Sequence, residues 1–183
     1  SNTEQPYIFF AGKSFSFKDA AFTKQMDEVE IARTMRHVGL GIDQGGIGIG
    51  LLLDYLDAAV SDDELEALFS MAADRRAPLF IHIRRGIAGD PSGLIEVIEL
   101  AKRTGASIHI CHLSASAMGG IDNFLELVDE ALVEGVDISA ESYPYNAGST
   151  SIGADVFNRD WKSIFGITYS DVQLAETGEF FTK

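Results

Sequence analysis

The sequence is poor in cysteine, in basic residues and in long apolar runs. Its single cysteine cannot form an intramolecular disulfide, which favours a reducing compartment, so we expect a cytoplasmic protein. The 14 Lys and Arg stand against 28 Asp and Glu, and this net charge of -14 repels phosphate backbones. No apolar run is long enough to cross a bilayer, and the first residues lack the basic and apolar regions of a signal peptide. We therefore expect neither nucleic acid nor a membrane as a partner.

Four short apolar runs predict β-strands at 46–51, 79–84, 107–113 and 136–142. Their starts are about 30 residues apart, close to the length of one unit of a (β/α)8 barrel, and amphipathic helical patterns lie between them. Such alternation predicts a parallel sheet covered by helices, and the fold class is α/β with a partial (β/α)8 TIM-type barrel. A doubly wound sheet fits the same alternation. However, "GGIGIG" does not match the G-x-G-x-x-G phosphate fingerprint, and we interpret its glycines as close helix–strand packing.

Capping and termination signals predict the helix boundaries. The signals are a capping box of Ser61 with Glu64, an N-cap and first helical residue at Asp90 and Pro91, and terminating glycines at Gly105 and Gly135. An earlier helix is predicted across 26–37. We expect residues 1–183 to form one partial barrel domain, with an irregular segment at 1–22 and a loop and helical extension at 151–183.

Two histidines lie near the C-terminal ends of neighbouring predicted strands. His82 and His112 are separated by one βα unit, and a barrel builds its active site at this end of its strands. Alternation places His109 and Cys111 on the opposite face, toward the helices. There Cys111 is interpreted as a small buried hydrophobe, and His109 as a structural histidine bonded to a backbone carbonyl.

Two interpretations of this pair stay open. Neutral imidazole is a common zinc ligand, but two ligands are fewer than the three protein ligands of a usual catalytic zinc. The histidines therefore indicate either a metal site or two structural side chains. The segment "AESYPYNAGST" at 140–150 would rim the same mouth, or form a turn with an aromatic plug. The acidic residues Asp54, Asp57, Asp62 and Asp63 cluster near a loop, where weak cation binding is one reading, and they are interpreted as solvated groups near a helix N-terminus.

The motifs "IHIR", "HICHLS" and "ESYPYNAGSTSIG", in this order, resemble the N-acyl-D-amino-acid deacylase (D-aminoacylase) branch of the amidohydrolase superfamily, over roughly 23–183. The resemblance implies strands four to seven of a metal-dependent barrel that hydrolyses the amide of N-acyl-D-amino acids. It implies zinc, one or two ions in the complete enzyme, with His82 and His112 as ligands. Tyr143 and Ser149 would bind the substrate carboxylate, and Arg84, in the same motif as His82, is a further substrate-binding candidate.

The sequence also departs from that family. It has no His-x-His pair, no bridging cysteine or lysine on the first predicted strand, and Ser114 stands where many relatives have a lysine. The catalytic aspartate of the family would lie beyond Lys183. We therefore expect a barrel fragment that is inactive as this isolated chain, and that associates through its exposed inner face as a homodimer or larger assembly. The alternative is a non-catalytic scaffold, or a small-anion-binding module, of barrel origin.

Overall fold

A computed structural model describes residues 23–56, 59–142, 144–152 and 154–182. The strands are β1 (Ile49–Leu52), β2 (Leu79–His82), β3 (Ile108–Ile110) and β4 (Ile138–Ala140). The α-helices are α1 (Glu28–Asp43), α2 (Leu53–Leu56), α3 (Asp62–Asp74), α4 (Ser92–Thr104), α5 (Leu113–Ala117), α6 (Ile121–Val133) and α7 (Trp161–Phe165). Short 3-10 turns cover Met118–Gly120, Asp155–Asn158 and Tyr169–Asp171.

The strands form one parallel sheet in the order β1-β2-β3-β4, so neighbours in the chain are neighbours in space. Helices connect each strand to the next, which is the repeating unit of a (β/α)8 barrel. The predicted fold class, a partial barrel with parallel strands and alternating helices, is confirmed. In the described ranges, no helix is long and apolar enough to cross a membrane.

The helix boundaries follow the capping chemistry, with small shifts from the prediction. Helix α1 begins after the capping box of Asp27 with Glu30 and runs to Asp43, further than the predicted 26–37. Ser61 caps α3 by accepting a hydrogen bond from the Glu64 backbone N–H at 3.2 Å. Helix α4 begins at Ser92, one residue later than predicted, and the Asp90 carboxylate accepts from the Ser92 N–H at 2.9 Å, the contact expected of the predicted N-cap.

The hydrophobic core lies between one face of the sheet and the helices. Alternate strand residues, among them Leu79, Ile81, Ile108 and Ile110, are buried there against apolar helix residues such as Phe69, Leu94 and Phe124. The other face of the sheet, which we call the open face, carries Phe80, 37% exposed, together with exposed Ser139. A closed barrel would cover this face.

A second apolar cluster belongs to the C-terminal part of the chain. Ala154, Val156 and Ile164 form its buried centre, and Phe157, Trp161 and Phe165 pack around it. Tyr55 of α2, directly after β1, joins the cluster. The C-terminal segment therefore packs beside the carboxyl end of the sheet.

Candidate functional site

The structure brings His82 and His112 together at the carboxyl end of the sheet. His82 is the last residue of β2, and His112 follows the end of β3. Their ring centroids are 4.5 Å apart, and the ring planes cross at 76° in an edge-to-face contact. Parallel neighbouring strands in register carry their last residues to the same edge, which explains how side chains 30 positions apart in sequence meet.

His112 has a left-handed backbone, with φ 39° and ψ 54°. This conformation costs a non-glycine residue about 1 to 2 kcal/mol, so surrounding interactions must hold it. The neighbouring backbone supplies them: the Cys111 N–H donates to the Ile81 carbonyl at 2.9 Å, and the Leu113 N–H donates to the Glu141 carbonyl at 2.8 Å. Strain of this kind, locked between strand ends, is typical of functional sites.

The environment of His112 keeps its imidazole neutral. Burial is the largest of the causes that lower the pKa of His112 to about 4, and the neighbouring His82 and Arg85 contribute to that shift. At neutral pH the ring therefore carries one proton and one lone pair. A neutral imidazole is the form that binds a metal ion or accepts a proton.

A buried carboxylate, Asp54, completes the cluster. Its side chain is 5% exposed. One oxygen, Oδ1, accepts a hydrogen bond from Arg159 at 2.8 Å, while Oδ2 lies 3.5 Å from His82 Nε2 and 3.7 Å from Arg85 Nε. Burial raises the pKa of Asp54, but the contacts with His82 and Arg159 and the charge of Arg85 outweigh it, so the net pKa is lowered and the group is ionised.

The interpretation of Asp54 as a solvated acid is therefore wrong. Asp54 follows β1 closely, at the carboxyl end where His82 and His112 also lie. The strand-end rule that selected the two histidines would have selected this aspartate too. Arg85 and Arg159, which hold it, carried no comparable signal, because an arginine in a loop is ordinarily a solvated side chain.

Tyr55 packs on the other side of His82. The two ring centroids are 5.3 Å apart, and the Tyr55 hydroxyl is 2.8 Å from the Thr150 hydroxyl. This contact connects the segment after β4 to the site, as expected for a segment that rims the mouth. Arg85 stacks over the Phe165 ring at 5.4 Å, which joins the C-terminal cluster to the same edge of the sheet.

Three residues were predicted to bind substrate. Arg84 is held elsewhere: its Nε donates to both carboxylate oxygens of Glu96 on α4, at 3.2 and 3.1 Å, and a terminal nitrogen donates to the Val60 carbonyl at 3.2 Å. Ser149 is exposed in the segment after β4. Tyr143 lies outside the described residues.

The prediction for His109 is wrong in its face and in its partner. His109 lies on the open face, beside Phe80 at 5.4 Å between ring centroids. It contacts the Ser139 hydroxyl at 2.9 Å and the Glu141 carboxylate at 3.7 Å, not a backbone carbonyl. Strand β3 ends at Ile110, and His112 has a left-handed backbone. The alternation of side chains between the two faces therefore does not continue to His112, and the prediction that extended it to His112 placed His109 on the wrong face.

Two glycines of "GGIGIG" allow close approaches of different kinds. A Cβ on Gly46 would lie 2.9 Å from the Gly41 carbonyl oxygen of α1, in agreement with the predicted packing against a helix, whereas Gly48 departs from the prediction. A Cβ on Gly48 would lie 2.5 Å from the Phe80 ring and 2.7 Å from the Pro78 carbonyl oxygen. The close approach at this glycine is therefore between neighbouring strands. Cys111, predicted to be buried, is half-buried.

These groups are a partial match to a zinc site. Two adjacent imidazoles, one held neutral by burial, are suitable zinc donors. The nearby carboxylate, Asp54, is already engaged by Arg159 and Arg85. Across the described part of the chain, no three His, Cys, Asp or Glu side chains are arranged to hold a metal ion. The described residues therefore do not form a complete catalytic zinc site.

The fold and the strand-end histidines define part of a (β/α)8 barrel with two imidazoles at the carboxyl end of its strands. Comparison with known proteins confirms the resemblance predicted from the sequence. The chain is 32% identical to an N-acyl-D-glutamate deacylase of Alcaligenes xylosoxydans xylosoxydans over 114 residues, which is 60% of this chain and 23% of the relative. No family model matches the sequence.

Solved structures agree with this relationship. N-acyl-D-glutamate deacylase from Bordetella bronchiseptica, complexed with zinc and a phosphonate mimic of the tetrahedral intermediate, superposes with a TM-score of 0.61. That match has 25% identity and covers 70% of this chain and 27% of the other. A D-aminoacylase studied for its binuclear metal centre matches with a TM-score of 0.60 at 20% identity, covering 69% and 27%. This chain spans about a quarter of the length of these relatives.

Proposed function

We propose that this chain is one part of the barrel of a metal-dependent hydrolase that cleaves the amide of N-acyl-D-amino acids, with His82 and His112 as two of its zinc ligands. The contact between the two imidazoles at consecutive strand ends is the observation that carries the proposal. The relatives named above act on N-acyl-D-glutamate or belong to the D-aminoacylases, and two of them contain metal. A bound zinc ion supplies an activated water and polarises the amide carbonyl.

We also propose that the isolated chain is inactive. A catalytic zinc usually needs three protein ligands and a water, and the described residues supply two histidines without a third donor. Asp54, the buried carboxylate at this edge, is engaged by Arg159 at 2.8 Å and so does not serve as the general base. In this proposal the remaining donors come from residues outside the described ranges.

The substrate carboxylate, in this proposal, is bound by the segment after β4. Arg84 is engaged by Glu96, which leaves Tyr143 and Ser149 as the groups assigned to it from the family resemblance. The hydrogen bond of Thr150 to Tyr55 supports this assignment, because it ties that segment to the ring beside His82.

Zinc content per chain tests the ligand assignment. Metal-free protein is incubated with zinc, dialysed, and measured by elemental analysis as wild type, as a His82→Ala, His112→Ala double variant, and as a His37→Ala control on the exposed face of α1. We expect the wild type and the control to retain more zinc than the double variant, which lacks both imidazoles. Equal zinc uptake by the double variant would contradict the assignment.

Hydrolysis of an N-acyl-D-glutamate tests the activity of the chain. The zinc-treated wild type is expected to release no more free amino acid than the double variant does, because the described residues supply no third zinc ligand. Turnover that disappears in the double variant would overturn the proposed inactivity and support the amidase chemistry directly.

The alternative is a non-catalytic scaffold or small-anion-binding module of barrel origin. The missing third metal donor in the described ranges favours it. It predicts a zinc-free protein whose stability and fold are unchanged by the double histidine substitution. The anion-binding version has the weaker support, because the two arginines at the site are already paired with Asp54.

Self-association follows from the same proposal. The open face exposes Phe80 and Ser139, and within the described sheet β1 and β4 each pair with one strand only. Exposed strand edges and an uncovered apolar face favour pairing with another chain. We expect sedimentation velocity to show a dimer or larger species that Phe80→Glu shifts toward the monomer, and a monomeric wild type would contradict this.

A further inference from the structure

The two oxygens of Asp54 have different partners, and this asymmetry bears on His82. Oδ1 is bound by Arg159 at 2.8 Å, and the same guanidinium group donates to the Asp54 backbone carbonyl at 3.2 Å. Arg159 also reaches the Arg85 carbonyl at 3.5 Å. The carboxylate is therefore clamped from the C-terminal segment, with Oδ2 left to face His82 and Arg85.

Oδ2 is the acceptor within reach of two buried N–H positions. His82 Nε2 lies 3.5 Å from it and Arg85 Nε lies 3.7 Å from it. Both nitrogens are buried, and neither has a shorter hydrogen bond to another acceptor among the described residues. A carboxylate paired with Arg159 at 2.8 Å and Arg85 at 3.7 Å only accepts hydrogen bonds, so it favours a proton on the nitrogen that faces it.

The opposite tautomer would be unfavourable at this position. An unprotonated Nε2 would direct its lone pair at a negatively charged oxygen in a site shielded from water, where electrostatic repulsion is strong. A hydrogen bond or charge on one ring nitrogen of a histidine generally sets which nitrogen remains available to bind a metal ion or accept a proton.

We propose that Asp54 is a positioning residue for His82: its carboxylate, clamped by Arg159, holds the imidazole in the form protonated on Nε2 and so selects Nδ1 as the ligating or accepting nitrogen. Asp54 does not itself bind metal or substrate in this scheme. The choice of ring nitrogen rests on the Asp54 contact alone; only its description as a metal-ligating nitrogen rests on the proposed function.

The ring nitrogens of His82 report the tautomer directly. The chain has four histidines, so ¹⁵N-histidine labelling with long-range ¹H–¹⁵N spectra gives a small set of resonances, and His82→Gln identifies those of His82. The measurement is made on metal-free protein in a chelator. A failure of zinc binding therefore leaves the test of this inference unaffected, and the two outcomes are distinguishable.

Asp54→Asn is the informative variant. Arg159 needs an acceptor at the position of Oδ1, so the Asn carbonyl turns to Arg159 and the Asn NH₂ faces His82. A donor opposite Nε2 favours a lone pair there, and the tautomer should invert to Nδ1–H. The matched control is Glu96→Gln, which alters the carboxylate that binds Arg84 and should leave the His82 resonances in place.

We expect Nε2 of His82 to be protonated and Nδ1 to be unprotonated in the wild type. In Asp54→Asn we expect the ¹⁵N chemical shifts of the two nitrogens to be interchanged, with Nδ1 in the protonated range and Nε2 in the unprotonated range. A wild-type spectrum of the Nδ1–H form overturns the proposal, and it does so even if the variant fails to fold. A folded Asp54→Asn protein with unchanged His82 resonances also overturns it, since Asp54 would then serve only to anchor Arg159.

Discussion

The ion pair between Asp54 and Arg159 should be a principal tether of the C-terminal segment, and Arg159→Met tests it. Breaking a buried pair by removing one partner costs about 3 to 5 kcal/mol, because a charge is left buried without compensation. Here Asp54 is 5% exposed and Arg159 is 22% exposed, and His82 and Arg85 remain within 3.5 and 3.7 Å of the carboxylate. The loss should therefore be smaller, about 2 to 3 kcal/mol.

Urea denaturation measures this loss with two probes. Circular dichroism follows the whole fold, and fluorescence of Trp161, the only tryptophan, follows the cluster next to Arg159. The control is Arg103→Met: Arg103 also forms a 2.8 Å pair, with Glu66, but the two side chains are 56% and 47% exposed. An exposed pair contributes about 0.2 to 1 kcal/mol, so the control should change stability little.

Both variants keep a long side chain, so the comparison isolates burial. A loss in Arg159→Met no larger than in Arg103→Met would refute the reasoning, because it would mean that water, Arg85 and His82 satisfy Asp54 without Arg159. A fluorescence transition that precedes the dichroism transition would show the C-terminal cluster detaching before the barrel part unfolds.

Two further predictions concern other parts of the fold. Burial raises the pKa of Glu64 to about 7 against the opposing charge of Arg84, so the folded chain holds a proton that the unfolded chain, with a value near 4.5, has released. The free energy of unfolding should therefore fall as pH rises from about 4.5 to 7. Glu64→Gln should remove that slope and raise the free energy of unfolding by about 1 kcal/mol at pH 8, a reduced value because the position is half-exposed. Parallel pH–stability curves of the two proteins would contradict this. Gly105 ends α4 with φ 74° and has open space where a Cβ would stand. Gly105→Ala should therefore lower stability by about 1 kcal/mol through backbone conformation alone, and Gly105→Asn should lower it less. Thermal denaturation measures both, and an Ala variant as stable as wild type would contradict the prediction.

Local rules account for what could be predicted from the chain. The apolar runs, the capping residues and the glycine at the end of α4 act within a few residues, and their periodicity predicted the strands, the helices and the parallel order of the sheet. The proximity of His82 and His112 also followed, because successive parallel strands in register end at the same edge. Helix boundaries were predicted less closely, since α1 runs to Asp43 and α4 begins one residue later than its capping signals indicated.

Tertiary structure decided the rest. The left-handed turn at His112 ended the alternation of β3, so which face His109 occupies depended on a backbone conformation held by contacts with β2 and β4. The burial and pairing of Asp54 depended on Arg159, 105 positions away, which periodicity and spacing do not encode. The sequence alone determined the alternating α/β framework and the histidine pair, because both follow from local periodicity. Long-range charge pairing has no sequence period. The contacts that orient His82 therefore emerged only when the C-terminal segment packed against the strand ends.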